Sequence, residues 1–473
     1  MKRKPLKRSA LSFLILLTLS ACLTGCATPH RINERILVQV YAEQRQQPKQ
    51  HIGIFVPGVL GSVLEEPATG RAVWGNVFSG RLDGLALPIE EDSFRANRDN
   101  LIPRRLLNRL SWLGLAEMDV YTTAARIAIQ AGGYVRGNVS DPQPGETAYS
   151  FPYDWRRDLV EAARRLDDAI QRIKQRQNRP DARIHLLCHS AGGLVARYYV
   201  KYGAVDVLDQ YPLPAPTYAG AKHVCKIIML GTPNTGSLEA FRTLHEGLVL
   251  PTVGSLPAEA LFTMPASYQL LPHEGIPVFV DSQGRPLPVS LYDAENWERL
   301  GWSVFSPKHL ARLQRKLKKQ YPQEWEPHYQ EKLAVYRRFL QKALRRAAQF
   351  QRALRSGDPA EESRRVEYVV MGANGDPTLR RAILEQNDSG LWRVHFRTRD
   401  PELKPLLYGY GDDTVTKESL LGIYRSESAK TENAPYRLPG ARVLLFAEGH
   451  SELTKNVTFL DNILHTLLDE QEG

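Results

Sequence analysis

The most constraining feature of the sequence is a serine, Ser190, that stands between an apolar run and a segment with helical periodicity. The run Ile184–Cys188 predicts a buried strand, and the letters after the serine, AGGLVARYY, predict a helix. A strand that turns sharply into a helix presents a serine hydroxyl at the carboxyl edge of a sheet, and so tight a turn needs small neighbours. The stretch CHSAG departs from Gly-x-Ser-x-Gly only at Cys188. We therefore interpret Ser190 as a candidate nucleophile.

Apolar runs alternate with amphipathic segments along most of the chain. Other runs typical of buried strands end at Pro57-Gly58 or cover residues 224–230, 366–371 and 443–446. Residues 158–177 and 457–468 carry apolar side chains at the three- and four-residue spacing of a helix. This alternation predicts an α/β fold with a mostly parallel central sheet covered on both faces.

Two long stretches interrupt the alternation and define the predicted domain organisation. Residues from about 66 to 115 are loop-rich and read as a lid, whereas residues 238–365 are mainly helical and read as a cap. The core is then expected in two parts, 51–237 and 366–473. Within the cap, an apolar stripe predicts a helix buried along one side, with a membrane-contact helix as the alternative; the stripe comprises Tyr329, Leu333, Tyr336, Leu340, Ala343 and Ala347.

A serine nucleophile needs a base and a group that orients the base, and candidates for both follow Ser190 in the chain. Asp412 and Asp413 lie in the glycine-flanked loop GYGDDTV, and His450 follows the apolar run near residue 445. We choose Asp412 over Asp413. Taken singly, the aspartate reads as a turn residue and the histidine as a helix cap, but their order with Ser190 favours a Ser-Asp-His triad.

The anionic oxygen that forms during acyl transfer needs preorganised hydrogen-bond donors. The backbone N–H of the residue after the nucleophile is one such donor, which here is Ala191. The second usually comes from the loop after an early strand. Val59, after Pro57-Gly58, is our choice, with Leu60 as the alternative.

The N-terminal residues 1–26 have the form of a secretion signal, with five cations followed by a short apolar run that is too short to span a bilayer. The ending LTGC resembles the lipobox of bacterial lipoproteins, with Cys26 as the acylated residue and Cys22 as the alternative. We favour the lipobox over the alternative of an ordinary secretory signal that is cut nearby. Lipidation would anchor the protein in the cell envelope, at the outer membrane, and residues 27–50 would form a polar tether.

The distribution of charge narrows the classes of molecule that the protein is expected to bind. The formal net charge is +10, and residues 308–355 alone carry 14 Lys and Arg against 3 Glu. This basic segment suits a solvated helix face or anionic lipid headgroups better than nucleic acid, which we do not expect an exported protein to bind.

Beyond the signal, only two cysteines remain in the chain, Cys188 and Cys225. Because they would lie at opposite ends of neighbouring strands, we predict two free thiols.

Several separated stretches together resemble the lecithin:cholesterol acyltransferase family, which includes lysosomal phospholipase A2 and phospholipid:diacylglycerol acyltransferase. The most distinctive stretches are PYDWR and GDDTV. The full set, in family order, is VPGVLGSVLE, GYVRG, FPYDWR, HSAGG, MLGTPNTGS, MPASYQLLP, GDDTV and GHSEL. The resemblance covers residues 52–468 and is weakest in the middle of the cap.

The resemblance implies an α/β-hydrolase core with a lid and a cap, no cofactor or metal, and a triad that takes an acyl group from a glycerolipid. Carried over by motif, Ser190, Asp412 and His450 form the triad, and Val59 matches an oxyanion position. Trp74 resembles lid tryptophans that could contact an acyl chain. The disulfides of the family are absent.

Other readings of the sequence stay open at this point. In PYDWR we favour a buried Asp154 paired with Arg156 or Arg157 beside a packed Trp155 over a direct part in catalysis. An esterase or thioesterase for soluble esters, or a non-catalytic lipid-binding lipoprotein on a hydrolase scaffold, remain alternatives to a phospholipid acyl hydrolase or acyltransferase.

Overall fold

The computed structural model describes residues 34–75, 82–90, 94, 97–107, 119–250, 254–423, 437–447 and 456–469. The predicted signal segment, with Cys22 and Cys26, therefore lies outside the described residues, and so does His450.

Six strands form the central sheet, and every pairing between them is parallel. The strands are β1 (Ile52–Val56), β2 (Ala148–Ser150), β3 (Ile184–His189), β4 (Val224–Leu230), β5 (Glu367–Ala373) and β6 (Arg442–Phe446). Their order across the sheet is β6-β5-β4-β3-β1-β2. The runs predicted as strands are thus confirmed, with ends that differ by one or two residues, but β6 lies at the edge of the sheet and is not buried, since Val443 is 40% exposed.

Helices cover both faces of the sheet and build most of the cap. The longer ones are α1 (Asp119–Gln130), α2 (Leu159–Arg176), α3 (Ala191–Tyr202), α4 (Leu238–Glu246), α5 (Pro307–Gln320), α6 (Trp325–Arg355) and α7 (Val457–Leu468). Shorter helices are Glu34–Val40, Ala42–Gln46, Ala258–Phe262, Pro265–Gln269, Ala294–Arg299, Pro359–Ser363, Lys404–Leu407 and Lys417–Leu420, with 3₁₀ turns at Asp83–Leu85, Gly220–Lys222 and Ser303–Phe305.

Side chains of the central strands alternate between two hydrophobic cores, as expected for a sheet that is covered on both sides. Leu186 and Cys188 pack into the core that also contains buried residues of α2, α3 and the cap. Leu187, between them, packs into the second core with residues of α1 and α7. The doubly covered parallel sheet and the strand-serine-helix turn define an α/β-hydrolase fold, as predicted.

Several short sheets lie beside the core, and all of their strand pairs are antiparallel except Phe279–Val280 with Ala382–Ile383, which is parallel. Ser62–Glu65 pairs with both Ala72–Trp74 and Ile102–Leu106, which places the ends of the predicted lid beside the start of the chain's core. Phe279–Val280 of the cap pairs with Ala382–Ile383, part of Ala382–Gln386, which in turn pairs with Trp392–His395. Asp376–Leu379 pairs with Tyr408–Gly411, and Leu248–Leu250 with Gly254–Leu256. The segment after 366, predicted as core, therefore includes an excursion that pairs with the cap.

The cap helix α6 is buried along the predicted apolar stripe, including Leu333, Tyr336 and Leu340, which supports the packed-helix interpretation. Its Arg346 is buried and forms ion pairs with Asp158 and with Asp206, the latter at 2.7 Å. Asp158 also caps α2 by accepting a hydrogen bond from the Val160 N–H. Arg346 thus ties the cap to the first turn of a core helix.

The predicted tether is wrong for residues 34–46, which form two short helices on the body of the protein. Leu37 and Tyr41 are buried in the second core, and the Tyr41 hydroxyl lies 2.8 Å from a carboxylate oxygen of Asp461 in α7. The polar, Gln-rich composition concealed these two apolar anchors, which share one helix face at a four-residue spacing.

Neither thiol is in a disulfide, as predicted: Cys188 is buried and Cys225 is half-buried. Within the described ranges, no helix is both long enough and apolar enough to cross a membrane.

Candidate active site

Ser190 occupies a strained turn between β3 and α3. Its φ of 47° and ψ of −125° place it in a region that side-chain-bearing residues rarely adopt, and such strain concentrates at functional sites. The turn is fixed because the Ser190 N–H donates to the Leu230 carbonyl at 2.9 Å and the Gly193 N–H donates to the Ser190 carbonyl at 3.0 Å. The serine side chain stands at the carboxyl edge of the sheet and is partly exposed.

The two glycines after Ala191 are required by close contacts, with the backbone of β1 at Gly192 and with the Thr232 side chain at Gly193. A Cβ on Gly192 would lie 2.4 Å from the Val56 carbonyl oxygen, and one on Gly193 would lie 2.1 Å from the Thr232 hydroxyl. Helix α3 can therefore begin directly against β1 and the loop after β4 only with glycine at these positions.

Cys188, the departure from the glycine pattern, does not enter the turn. Its side chain is fully buried in the core, in register with Val56 of β1 and Met229 of β4. Burial raises the pKa of this thiol well above its usual value. The residue is therefore an uncharged packing group at neutral pH. It does not compete with Ser190 as a nucleophile, because the nucleophilic form of cysteine is the thiolate.

A cavity of about 380 Å³ opens beside Ser190. Val59, Leu60 and Asp412 also line it, so the structure brings together the candidate nucleophile, both candidates for the second oxyanion donor and the candidate acid. Apolar side chains supply much of its wall, namely Trp155, Leu248, Leu256, Leu261 and Leu270.

The oxyanion candidates flank the serine on two sides. Gly58 lies so close that a Cβ there would be 3.3 Å from the Ser190 hydroxyl oxygen, which brings the backbone entering Val59 next to the nucleophile. Ala191 is the first residue of α3, and N–H groups in the first turn of a helix have no acceptor within the helix. Both candidates therefore lie beside the nucleophile, on separate segments of the chain.

The two adjacent aspartates of GYGDDTV differ sharply in environment. Asp412 is buried, and its Oδ1 accepts hydrogen bonds from the N–H groups of Thr414 at 3.1 Å and Val415 at 2.7 Å. Asp413 is exposed, has a φ of 74°, and donates its N–H to the Thr378 hydroxyl at 2.8 Å. Asp412 is the rigidly held carboxylate, whereas Asp413 serves the turn.

His450 lies outside the described residues, so the structure gives no distance between it and Ser190. Strand β6 ends at Phe446, and Ala447 is the last described residue before the histidine. The expected role of His450 as the base stays a prediction.

Within the PYDWR stretch, Asp154 and Arg156 form a buried structural ion pair. Arg156 is fully buried and binds Asp154 through two hydrogen bonds of 2.9 and 2.8 Å and Asp99 through two of 2.7 and 2.9 Å. The pKa of Arg156 is raised by its carboxylate partners, although its burial opposes this shift. The paired Asp154 that we favoured is confirmed, with Arg156 as its partner.

Of the two tryptophans, Trp155 lines the cavity, whereas Trp74, which was expected to contact an acyl chain, does not. Trp74, predicted as a possible acyl contact, is buried and donates its indole N–H to the Leu60 carbonyl at 2.8 Å. Trp155 lines the cavity and packs edge-on against Trp74 at 5.7 Å between ring centroids. Trp74 therefore supports the cavity wall from behind.

Sequence reasoning missed an ion pair in the cavity wall. Glu239 and Arg242 lie one turn apart on α4, and the Arg242 Nε is 2.8 Å from the Glu239 carboxylate. Burial raises the pKa of Glu239 to about 7, with Arg242 opposing the shift and Asp413 and Glu246 adding to it. The spacing of an acid and a base three residues apart on a helix that starts just after GTPNTGS was the available signal.

The strained serine, the parallel sheet and the adjoining apolar cavity define the class of protein as an α/β-hydrolase. Within this class, the sequence profile of lecithin:cholesterol acyltransferase matches residues 142–423, and the chain belongs to that family. Membership supports an acyl hydrolase or acyltransferase for lipids in general terms.

Other similarities are distant. An uncharacterized protein of Saccharomyces cerevisiae, YJR098C, is 24% identical over 147 residues, a match that covers 30% of this chain and 20% of the yeast protein's length. The crystal structure of a Tle4-Tli4 complex contains a chain with a TM-score of 0.49 at 13% identity, over 89% of this chain and 99% of that one. EstA from Clostridium botulinum gives 0.32 at 11% identity, over 92% and 90%.

Proposed function

We propose that this protein transfers fatty acyl groups from glycerolipid esters through an acyl-enzyme on Ser190. The observation that carries the proposal is that the strained serine and the buried Asp412 line one largely apolar cavity, as an ester with a long acyl chain would require. Family membership supports the same chemistry. The acyl chain would lie against Trp155 and the leucines of the wall.

In the proposed first half-reaction, His450 removes the proton of the Ser190 hydroxyl as the oxygen attacks the ester carbonyl. The N–H groups of Val59 and Ala191 stabilise the oxyanion, and the proton on His450 passes to the leaving alcohol. Asp412 orients His450 and stabilises its charged form. The second half-reaction reverses these steps with water or an alcohol, and gives a lipase or an acyltransferase respectively.

The ion pair on α4 supports a phospholipid as the donor. Arg242 is about one-third exposed in the cavity wall, and a guanidinium suits a phosphate because it offers several donors in one plane. When a phosphate takes Arg242, Glu239 can remain uncharged by binding a proton, since its pKa is raised to about 7. This separates the proposal from an esterase for soluble esters, which has no need of a cation there.

The test of this proposal compares two substrates with the same acyl chains, a phosphatidylcholine and a neutral diacylglycerol, in detergent micelles. We expect Arg242→Gln to raise KM for the phospholipid at least about fivefold and to leave KM for the diacylglycerol unchanged, with Arg242→Lys intermediate. Equal effects on both substrates would contradict the proposal that Arg242 binds the phosphate of the headgroup. Full acyl release by Ser190→Ala would remove the enzyme mechanism.

We also propose that Cys26 is lipidated and anchors the enzyme in the outer membrane, where it would meet phospholipid directly. The leader sequence supports this localisation, with Cys22 as the alternative residue. Mass spectrometry of the mature N-terminus tests it: a diacylglyceryl cysteine supports the anchor, and an unmodified terminus after signal cleavage contradicts it.

A further inference from the structure

A cluster of two histidines and a cysteine lies at the edge of the central sheet opposite Ser190. His51 immediately precedes β1, His185 is the second residue of β3, and Cys225 is the second residue of β4. The ligand atoms of the three side chains all lie within 4.8 Å of one another. The five residues from His185 to Ser190 correspond to about 16 Å of extended strand, so the cluster is separate from the candidate active site.

A β-bulge brings Cys225 into this cluster. Ile184 pairs with Val224, but the next residue of β3, His185, pairs with Lys226, which leaves Cys225 as the extra residue of β4. Bulges redirect side chains relative to the regular alternation of a strand. Here the Cys225 sulfur lies 3.9 Å from the Nδ1 of His51 and 3.6 Å from the Ile184 carbonyl oxygen.

His185 supplies the independent indication of a ligand. The residue is 1% exposed, and its Nδ1 is buried with no hydrogen-bond partner among the residues that the structure describes. Leaving a buried polar nitrogen in this state is energetically costly. The two imidazole rings are tilted by 35° with their centroids 4.5 Å apart, and each ring offers one nitrogen within 4.8 Å of the other ring's nitrogen and of the Cys225 sulfur.

We propose that His51, His185 and Cys225 bind a thiophilic metal ion, Zn²⁺ or Cu⁺, which would join the amino ends of β1, β3 and β4. Imidazole and thiolate are the ligands that both ions favour, whereas Mg²⁺ and Ca²⁺ prefer oxygen. Binding replaces the thiol proton of Cys225 with the metal, so one proton is released to solvent for each ion bound.

Nearby cations do not block the site, because each is engaged elsewhere. The Lys226 ammonium contacts the carbonyl oxygens of Thr466 at 3.1 Å and Asp469 at 2.7 Å, and lies 3.2 Å from the Glu367 carboxylate. The Arg183 guanidinium donates to the Val224 carbonyl at 3.1 Å. Their charge favours the ion that adds least: with one thiolate, Cu⁺ leaves the site neutral and Zn²⁺ leaves it at +1.

The experiment uses the full-length protein, purified in detergent and freed of metal with a chelator. Zn²⁺ in air and Cu⁺ under anaerobic reducing conditions are each titrated against a chromophoric competitor, and Co²⁺ serves as an optical probe for thiolate ligation. We expect one ion per chain, with Cys225→Ser at least about tenfold weaker and without the thiolate-to-cobalt band. Cys188→Ala, which removes the other thiol of the folded domain, should bind as the parent does.

Stoichiometric binding of neither ion, or equal binding by Cys225→Ser, overturns the proposal. The tighter of the two ions identifies the metal. A second measurement needs no variant: iodoacetamide labelling of the half-buried Cys225, read by peptide mass, should slow at least about tenfold when the ion is bound. An unchanged labelling rate at saturating metal would also overturn it. Neither result bears on acyl transfer at the other edge of the sheet.

Discussion

Ser190 keeps its strained backbone conformation because several contacts fix the chain on both sides of it. The Leu230 carbonyl holds its N–H, and the glycines that follow allow α3 to approach β1 and Thr232 closely. Strain of this kind, of order 1–3 kcal/mol, persists only where packing enforces it. The backbone that carries the serine side chain is therefore fixed at the edge of the cavity before any substrate arrives, which is what a positioned nucleophile requires.

The two aspartates of GYGDDTV give a matched pair of variants at the residue scale. Asp412→Asn keeps the Oδ1 that accepts from Thr414 and Val415, so the loop should fold while the negative charge that we propose orients His450 is lost. We expect kcat to fall about 10³–10⁴-fold. Asp413→Asn should change kcat less than about threefold, because asparagine tolerates the φ of 74° at that position. Steady-state kinetics with circular dichroism as a folding control distinguishes them, and the reverse ranking would reassign the acid.

Glu239 predicts a pH dependence of stability. Its pKa is raised from 4.5 to about 7 chiefly by burial, so between these values the folded state binds more protons than the unfolded state. The stabilisation is therefore fully present below about pH 4.5 and is lost as the pH rises through about 7. Relative to Glu239→Gln, the parent should lose on the order of 1–3 kcal/mol of unfolding free energy between pH 4.5 and 8.

Urea unfolding at several pH values measures this difference. Glu326→Gln, at an exposed position near the start of α6, is the control and should follow the parent at every pH. A Glu239→Gln curve parallel to that of the parent would contradict the raised pKa.

At the scale of elements, Arg346 forms a buried electrostatic link between the cap and the core. Removing it leaves Asp158 and Asp206 with reduced compensation at a buried site, so Arg346→Ala should lower the free energy of unfolding by about 3–5 kcal/mol. Arg345→Ala, at the adjacent exposed position, should change it by less than about 0.5 kcal/mol. Chemical denaturation measures both, and equal effects would show that the buried pair does not hold the cap.

The start of α3 makes a second prediction at this scale. Because a Cβ on Gly193 would lie 2.1 Å from the Thr232 hydroxyl, Gly193→Ala should displace the helix, lower the melting temperature and reduce activity. Gly84→Ala is the control, since its nearest contact would be an ordinary 3.8 Å. A Gly193→Ala protein with the stability and activity of the parent would show that the close approach is not required.

The elements also show what the sequence could and could not reveal. Local patterns located five of the six central strands, all but the short β2, and also α2, α7 and the buried stripe of α6. The docking of residues 34–46 through Leu37 and Tyr41, and the pairing of Phe279–Val280 with Ala382–Ile383, depend on contacts far apart in the chain. No local pattern encodes such contacts.

The candidate site divides in the same way. Motif and chain order named Ser190, Asp412 and Val59, which the fold gathers around one cavity. Burial then separates Asp412 from Asp413 and gives Trp155, not Trp74, the place in the wall. These distinctions arise from three-dimensional packing, so residue type and spacing alone left them open.

For the whole molecule, the question is whether the acyl group passes to water or to a lipid alcohol. The cavity is lined largely by apolar side chains, and an acyl-enzyme in such surroundings partitions between water and a lipid alcohol according to which reaches Ser190. With labelled phospholipid as the donor, we expect an added long-chain alcohol to divert label from free fatty acid into alcohol ester. Product analysis by chromatography measures the ratio, and exclusive release of free acid at saturating alcohol would identify a hydrolase.

The central claim is that Ser190 carries the acyl group between the two half-reactions. The most direct measurement is the intact mass of the protein after brief mixing with a phosphatidylcholine of defined acyl chains and acid quenching, followed by peptide mapping. The account predicts a mass increase of one acyl group, located on the peptide that contains Ser190 and absent from Ser190→Ala. Undiminished acyl release by Ser190→Ala, or an acyl group on another residue, would contradict it.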